Sequence, residues 1–238
     1  MVPEPFGQRE AAMAVNVVGK VDGPVAVKNV LLSVSDKTDL DVLVKGLVQA
    51  CPGVRFFSTG GTHAKVAEIL GADAGRLTAV SDYTGQPETQ GGLVKTLDFK
   101  IYLGLLTETY NEAHQKDLAR TGAVTMDLVV VNLYPFRQTI LAAGVTPEQA
   151  RGQIDIGGPC MIRAAAKNFL RVACLVEPAD YPGFLEQLGK SGGKTAPRQR
   201  YRLARKAFAH TASYDRAIAA YLAETPFADV APCYEIVE

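Results

Sequence analysis

The chain has 238 residues, with 25 Lys plus Arg against 25 Asp plus Glu. A net charge of zero gives no global attraction to nucleic acid or to an anionic membrane, and no apolar run has the length of a membrane span. The four cysteines and three histidines are scattered, with no C-x-x-C pair and no metal-ligand spacing, so free thiols and a metal-free cytoplasmic protein are expected.

Residues 1–26 mix Pro, Gly and polar residues and are expected to form an N-terminal arm; Met1–Gln8 lacks the basic-then-apolar order of a secretory signal. Val30–Val34 is a short apolar run suited to a buried strand. Leu40, Leu43, Val44 and Leu47 repeat at helical spacing. Val54–Phe57 reads as a second strand, Ala64–Leu70 as a helix and Leu77–Val80 as a third strand. Met126–Val131 carries the strongest strand signal, and Val172–Val176 carries another. Short apolar strands alternating with helices predict an α/β fold, a parallel sheet with helices on both faces. From Thr195 to Ala223 the chain is rich in Ala, Arg and Leu and reads as one or two long helices. Ser191–Lys194 is the candidate hinge. The basic series Arg198, Arg200, Arg202, Arg205 and Lys206 reads as the wet side of a helix, because no aromatic residues interleave with it to stack bases.

Five stretches can carry chemistry. Ser33-Val34-Ser35-Asp36-Lys37-Thr38 follows the first strand, where open α/β sheets bind ligands. Its hydroxyls, Lys37 and free helix N–H groups suit a phosphate, although Ser, Asp and Thr there also suit a plain helix cap. Ser58-Thr59-Gly60-Gly61-Thr62 follows the second strand. Its glycines let backbone N–H groups approach an anion, or serve only a turn. Two such turns at successive strand ends point to one shared phosphate pocket. Lys95 lies among apolar residues after a Gly-rich loop, placed either for proton transfer or on the wet surface. Asn132 and Tyr134 end the strongest strand. Loops at strand ends often carry function, and a half-buried tyrosine in a turn is the plainer alternative. In Asp155-Ile156-Gly157-Gly158-Pro159, Pro159 fits the first helical position. Lys167 then lies about 12 Å along that helix. Asp155 and Lys167 either flank one substrate or are a dipole-complementing acid and an outward lysine.

Each motif is weak alone, but their order is specific. Ser-Val-Ser-Asp-Lys-Thr, Ser-Thr-Gly-Gly-Thr, Val-Lys-Thr-Leu, Asn-Leu-Tyr-Pro-Phe, Ile-Asp-Ile-Gly-Gly-Pro and Arg-Ala-Ala-Ala-Lys-Asn occur here in the order found in IMP cyclohydrolases. The family is the N-terminal domain of the bifunctional enzyme that also carries AICAR transformylase activity. The segment Lys206–Asp215 also resembles the end of that domain, so the resemblance covers about residues 28–222. It implies a methylglyoxal-synthase-like parallel sheet with a helical C-terminal extension. It also implies ring closure of 5-formamidoimidazole-4-carboxamide ribotide (FAICAR) to IMP in purine biosynthesis, with no cofactor or metal, and a homodimer.

The residues matching the family motifs are Lys95, Tyr134, Asp155 and Lys167 as catalytic groups. Lys167 and Tyr134 are expected at the formyl oxygen, and Asp155 with Lys95 as the proton relay. Ser33, Ser35, Lys37, Ser58, Gly60, Gly61, Thr62, Thr96, Leu97, Asn132, Leu133, Ile156, Gly157 and Gly158 are expected to bind substrate. The expected boundaries are an arm over 1–26, a cyclohydrolase domain over 27–225 with its helical extension from about 195, and a tail over 226–238. The chain reads as a standalone cyclohydrolase, with a separate AICAR formyltransferase in the pathway. Three positions depart from the family: Leu93 replaces a common Arg, and Asp98 and Tyr102 stand where histidines are common. A methylglyoxal synthase-like lyase and a non-catalytic purine-nucleotide sensor remain open on the same fold.

Overall fold

The computed structural model describes residues 17–86 and 94–237. Most of the expected arm, and Gly91, Gly92 and Leu93, lie outside the described residues.

Five parallel strands form the central sheet in the order β4-β3-β2-β5-β6. They are β2 (Asn29–Val34), β3 (Arg55–Ser58), β4 (Leu77–Ala79), β5 (Leu128–Asn132) and β6 (Ala173–Leu175). β5 starts two residues later than its apolar run suggests, because Asp127 serves the sheet edge. Its carboxylate accepts from the Lys28 and Asn29 N–H groups, both at 2.9 Å, and from the Arg171 guanidinium at 2.8 Å. Val80, expected in a strand, begins a short helix, α3 (Val80–Thr84).

Alternation along the strands sends side chains to two cores, because successive residues of a strand face opposite sides. Leu32, Val34, Leu128 and Val130 pack on one face with Leu43 and Leu47 of α1 (Leu40–Ala50) and Phe184 and Leu188 of α9 (Tyr181–Lys190). Leu31, Val129 and Val131 pack on the other with Ile101 and Leu105 of α4 (Phe99–Leu106) and Met161 and Ile162 of α8 (Gly157–Lys167). Helices cover both faces, as the apolar strands require.

The remaining helices are α2 (Gly60–Leu70), α5 (Glu112–Thr121), α6 (Phe136–Ile140), α7 (Pro147–Gly152), α10 (Pro197–Glu224) and α11 (Phe227–Val230). α2 begins four residues earlier than the apolar spacing indicates, on the glycine turn itself. The expected C-terminal helices are one 28-residue helix, α10. Ser191–Lys194, expected as a hinge, is bonded into the body. The Gly193 carbonyl accepts from Val27 N–H, and β7 (Lys194–Thr195) pairs antiparallel with β1 (Val25–Ala26).

One basic residue of α10 is not on its wet side. Arg200 is fully buried, while Arg198, Arg202 and Arg205 are exposed. Its guanidinium donates to the carbonyls of Asp22, Gly23, Phe169, Leu170 and Thr195 at 2.6–3.1 Å. A buried cation survives here because carbonyl oxygens replace its water. Lys206 is also engaged, between Glu177 and Asp180. Arg200→Met keeps the side-chain bulk and strands these carbonyls. It is expected to lower the unfolding free energy by about 3 kcal/mol or more, read by urea denaturation.

Candidate functional site

The chain runs from β2 outward to β3 and β4, then returns to the other flank of β2 with β5. Strand order therefore reverses between β2 and β5, and a crevice opens at their carboxyl ends. One wall is cationic. The β2–α1 loop carries Lys37, whose Nζ lies 4.0 Å from where a Cβ on Gly61 would stand. Lys95 comes from the segment before α4, and its Nζ lies 3.3 Å from the corresponding position on Gly60. Both ammonium groups thus stand over the first turn of α2. Thr59 precedes that turn without a side-chain capping bond. Gly60 has φ +53°, a conformation that disfavours any side chain. Two cations over helix N–H groups form an anion site. The Ser33–Thr38 stretch is more than a helix cap: α1 starts after Asp39, which makes no side-chain cap. Asp36 instead accepts from Thr38 N–H at 2.9 Å, and bonds from Thr38 hold its carboxyl below the usual range.

The opposite wall is built on the start of α8. Asp155 accepts from Gly158 N–H at 2.8 Å. Burial pushes its carboxyl up, while the Gly158 and Tyr134 N–H groups pull it back in part. Side chains pack closely against both glycines of the motif. A Cβ on Gly158 would come within 2.6 Å of Asp155 Oδ2 and Leu133 Cδ2, and one on Gly157 within 2.9 Å of Thr96 Oγ1. Lys95 and Thr96 therefore bridge the two walls, the lysine reaching α2 and the threonine reaching α8. Leu97 and Ile156 are exposed. Ser33 and Ser35 are half-buried. Tyr134 is also half-exposed and lines a cleft of about 510 Å³ with Ser35, Asp36, Arg137, His210 and Tyr214.

Several expected contacts differ in the structure. The Ser58 hydroxyl donates to Leu32 O at 2.9 Å inside the sheet. Thr62 Oγ1 donates to Val34 O and accepts from Val34 N–H, both at 3.0 Å. These hydroxyls join β2 to β3 and α2. Asn132 is buried, and its amide serves its own protein: Oδ1 accepts from Ser35 and Asp36 N–H at 2.6 and 2.8 Å, and Nδ2 donates to Asp36 O at 2.8 Å. It shapes the β2–α1 loop. Pro159 is third in α8, since the helix starts at Gly157; its missing N–H falls among those left free in a first turn.

Lys167 is the largest departure. It ends α8, about 15 Å along the axis from Gly157. There it lines a separate hollow with Leu103, Leu106, Glu108, His114 and Leu170. Within one chain it does not share the crevice with Asp155, because the helix between them runs straight down the sheet.

Two residues of α10 enter the picture without a signal in the strand-end motifs. Tyr214 donates to Gln153 O at 2.9 Å and accepts from Asp155 N–H at 2.8 Å. His210 faces Glu177 at 3.8 Å in the cleft, and burial lowers its pKa. Their spacing of four places them on one face of the helix, and both lie in the Lys206–Asp215 segment that resembles the family. The family departures have local roles. Asp98 caps α4 through Lys100 N–H at 2.7 Å. Burial pushes the Tyr102 phenol up beside Cys160. Among the described residues no group of three or more His, Cys, Asp or Glu is placed to hold a metal, and no helix is long and apolar enough to cross a membrane.

Comparison with known proteins gives a consistent picture. A family model described as MGS-like domain matches residues 39–160, and one described as AICARFT/IMPCHase bienzyme matches residues 165–236. The bifunctional purine biosynthesis protein PurH of Ruminiclostridium cellulolyticum is 46% identical over 199 residues, covering 84% of this chain and 37% of the relative. PurH of Enterococcus faecalis is 47% identical over 196 residues, covering 82% of this chain and 37% of the relative. The chain thus spans well under half the length of these relatives. The crystal structure of ForH superposes with a TM-score of 0.69 at 34% identity, covering 81% of this chain and 95% of ForH. The chain belongs to the MGS-like domain family and corresponds to the IMP cyclohydrolase region of PurH.

Proposed function

We propose that the chain is an IMP cyclohydrolase, closing FAICAR to IMP with loss of water. The observation that carries this reading is the pairing of Lys37 and Lys95 over the Gly60–Gly61 turn with a half-buried, partly desolvated carboxylate, Asp155, on the facing wall. A 5′-phosphate suits the cationic wall, and the imidazole ring with its two reacting arms then lies toward Tyr134 and Asp155. The PurH relatives support the purine assignment. FAICAR supply by a separate AICAR formyltransferase, and assembly as a homodimer, belong to the same proposal.

The reaction joins two arms of one molecule, so orientation supplies much of the rate. The carboxamide nitrogen attacks the formyl carbon, a C–N bond forms, and the carbonyl electron pair moves onto oxygen. Asp155 takes a proton from that nitrogen. Its desolvated carboxylate is a stronger base than an ordinary one and can return the proton. Lys95 and the Tyr134 hydroxyl stabilise and protonate the formyl oxygen. The C–O bond then breaks, water leaves, and the formamido nitrogen gives up its proton as the C=N bond forms. Lys95 here takes the cationic role that the motif order suggested for Lys167, since Lys95 stands at the crevice.

The purified chain is expected to convert FAICAR to IMP without folate or added metal, followed by ultraviolet absorbance. Asp155→Ala is expected to lower kcat by about 10²–10³-fold with the fold intact. IMP binding without turnover in the parent chain would instead identify a nucleotide sensor, and phosphate release from dihydroxyacetone phosphate a lyase. Lys37→Ala is expected to weaken IMP binding about tenfold by calorimetry, near 1.4 kcal/mol. An unchanged affinity would remove the phosphate from this wall.

Asp155 also carries a stability cost. Its folded pKa lies above the ordinary aspartate value of 3.8, so its protonated form is the one the fold favours. That contribution is complete below 3.8 and is lost as pH rises through the folded value. Asp155→Asn is therefore expected to melt higher than the parent at pH 7, and the gap should close as pH falls. A gap that widens in acid would contradict the desolvated carboxylate.

A further inference from the structure

We propose that Tyr214 of α10 is a positioning residue for Asp155, its hydroxyl bridging Asp155 N–H and Gln153 C=O and thereby setting how deep the carboxylate sits in the crevice. The inference rests on the cyclohydrolase reading of Asp155 given above, and it names the group that holds that carboxylate in place.

Asp155 lies on a short irregular segment between the end of α7 at Gly152 and the start of α8 at Gly157. Its neighbours bond locally: Gln153 N–H to Ala150 O at 3.0 Å, Ile154 N–H to Arg151 O at 3.1 Å, and Gly158 N–H to the Asp155 side chain at 2.8 Å. These bonds tie the segment to its own flanks, and the Tyr134 N–H holds the carboxylate from the β5–α6 loop. The Tyr214 hydroxyl adds a distant hold on the segment's backbone, 59 residues from Asp155 and 61 from Gln153. It uses both faces of one oxygen, as acceptor at 2.8 Å and donor at 2.9 Å.

The oxygen is itself well fixed. The Tyr214 ring is buried in a cluster with Phe136, Ala150 and Ala217, and it meets the Phe136 ring edge-on at 6.2 Å between centroids. Burial raises the phenol pKa, which keeps the proton available for Gln153 O. The titratable groups that face this hydroxyl are Asp155 across the bond, Tyr134 from the β5–α6 loop and Asp215 on α10. α10 is anchored at its other end by buried Arg200. A rigid helix thus reaches across the body and holds the segment that carries the acid.

Removing only the hydroxyl should let the segment relax toward water. Burial is the largest influence raising the Asp155 carboxyl, so relaxation moves its pKa down toward the ordinary value. Activity is lost as pH falls through the pKa of an essential base, so the acid limb should move to lower pH. A small displacement of the base also slows the chemistry, because catalysis is steep in geometry.

The test compares the parent chain, Tyr214→Phe and Phe136→Leu. FAICAR closure is measured against pH, and the Asp155 carboxyl is titrated by carbon-13 NMR, its signal assigned with Asp155→Asn. For Tyr214→Phe the expected result is a kcat lower by about ten- to hundredfold with KM within about threefold, together with an acid limb and a carboxyl titration both displaced to lower pH. Phe136→Leu disturbs the same cluster and should lower the melting temperature while leaving both titrations in place. A Tyr214→Phe variant that loses only thermal stability, with both titrations unmoved, would overturn the proposal. If the parent chain itself fails to close FAICAR, the cyclohydrolase reading falls. The NMR titration then still decides whether Tyr214 positions Asp155.

Discussion

The site depends on how the sheet is closed where its strand order reverses. At the carboxyl ends of β2 and β5 the chain leaves in opposite directions, and backbone groups there have no neighbouring strand to bond. Asn132 fills that gap. Its amide accepts two N–H groups from the β2–α1 loop and donates to a carbonyl of the same loop. An amide suits this place because it presents a donor and an acceptor side by side, as a peptide group does. The loop so held carries Lys37 to Gly61, and with it half of the cationic wall. Thr62 and Ser58 do similar work one strand away. The polar residues closest to the strand ends therefore build the crevice, and those slightly further out face it.

The crevice is polarised. Lys37, Lys95 and the first turn of α2 make one side electropositive. The other carries an acid whose desolvation raises its pKa. Both sides depend on glycine for different reasons. Gly60 supplies a positive φ, whereas at Gly157 and Gly158 the side chains of Thr96, Leu133 and Asp155 pack against bare backbone. Separating charge in this way lets one pocket hold an anion firmly and still keep a base that is not quenched by an adjacent cation.

α10 connects this polar region to the rest of the molecule. At its N-terminal end the buried Arg200 gathers carbonyls from the segment before β1, from the end of α8 and from Thr195. Fourteen residues further on, Tyr214 reaches the Asp155 segment. The helix spans the body as a strut, and its basic composition hides one residue whose role is internal.

The sequence alone determined the sheet, the strand-end turns and the family. β-branched apolar runs such as Val129–Val131 can only be buried strands, and Gly-rich turns after them mark the ligand edge whatever the packing. The ordered motifs identified Lys37, Lys95, Gly60, Gly61, Asp155, Gly157 and Gly158, which the structure brings to one crevice. Only the tertiary structure decided which polar groups remain available to a ligand. Ser58, Thr62 and Asn132 look like ligand contacts in a motif, and the structure shows their side chains bonding backbone of β2 and the β2–α1 loop. Lys167 follows Asp155 by twelve positions, and nothing in that spacing says that a straight helix carries it down the sheet to another hollow. Tyr214 lies far from Asp155 in the chain and next to it in space. Hydrogen bonds between distant segments, such as the one from Asp155 N–H to the Tyr214 hydroxyl, have no local pattern, so sequence periodicity cannot record them.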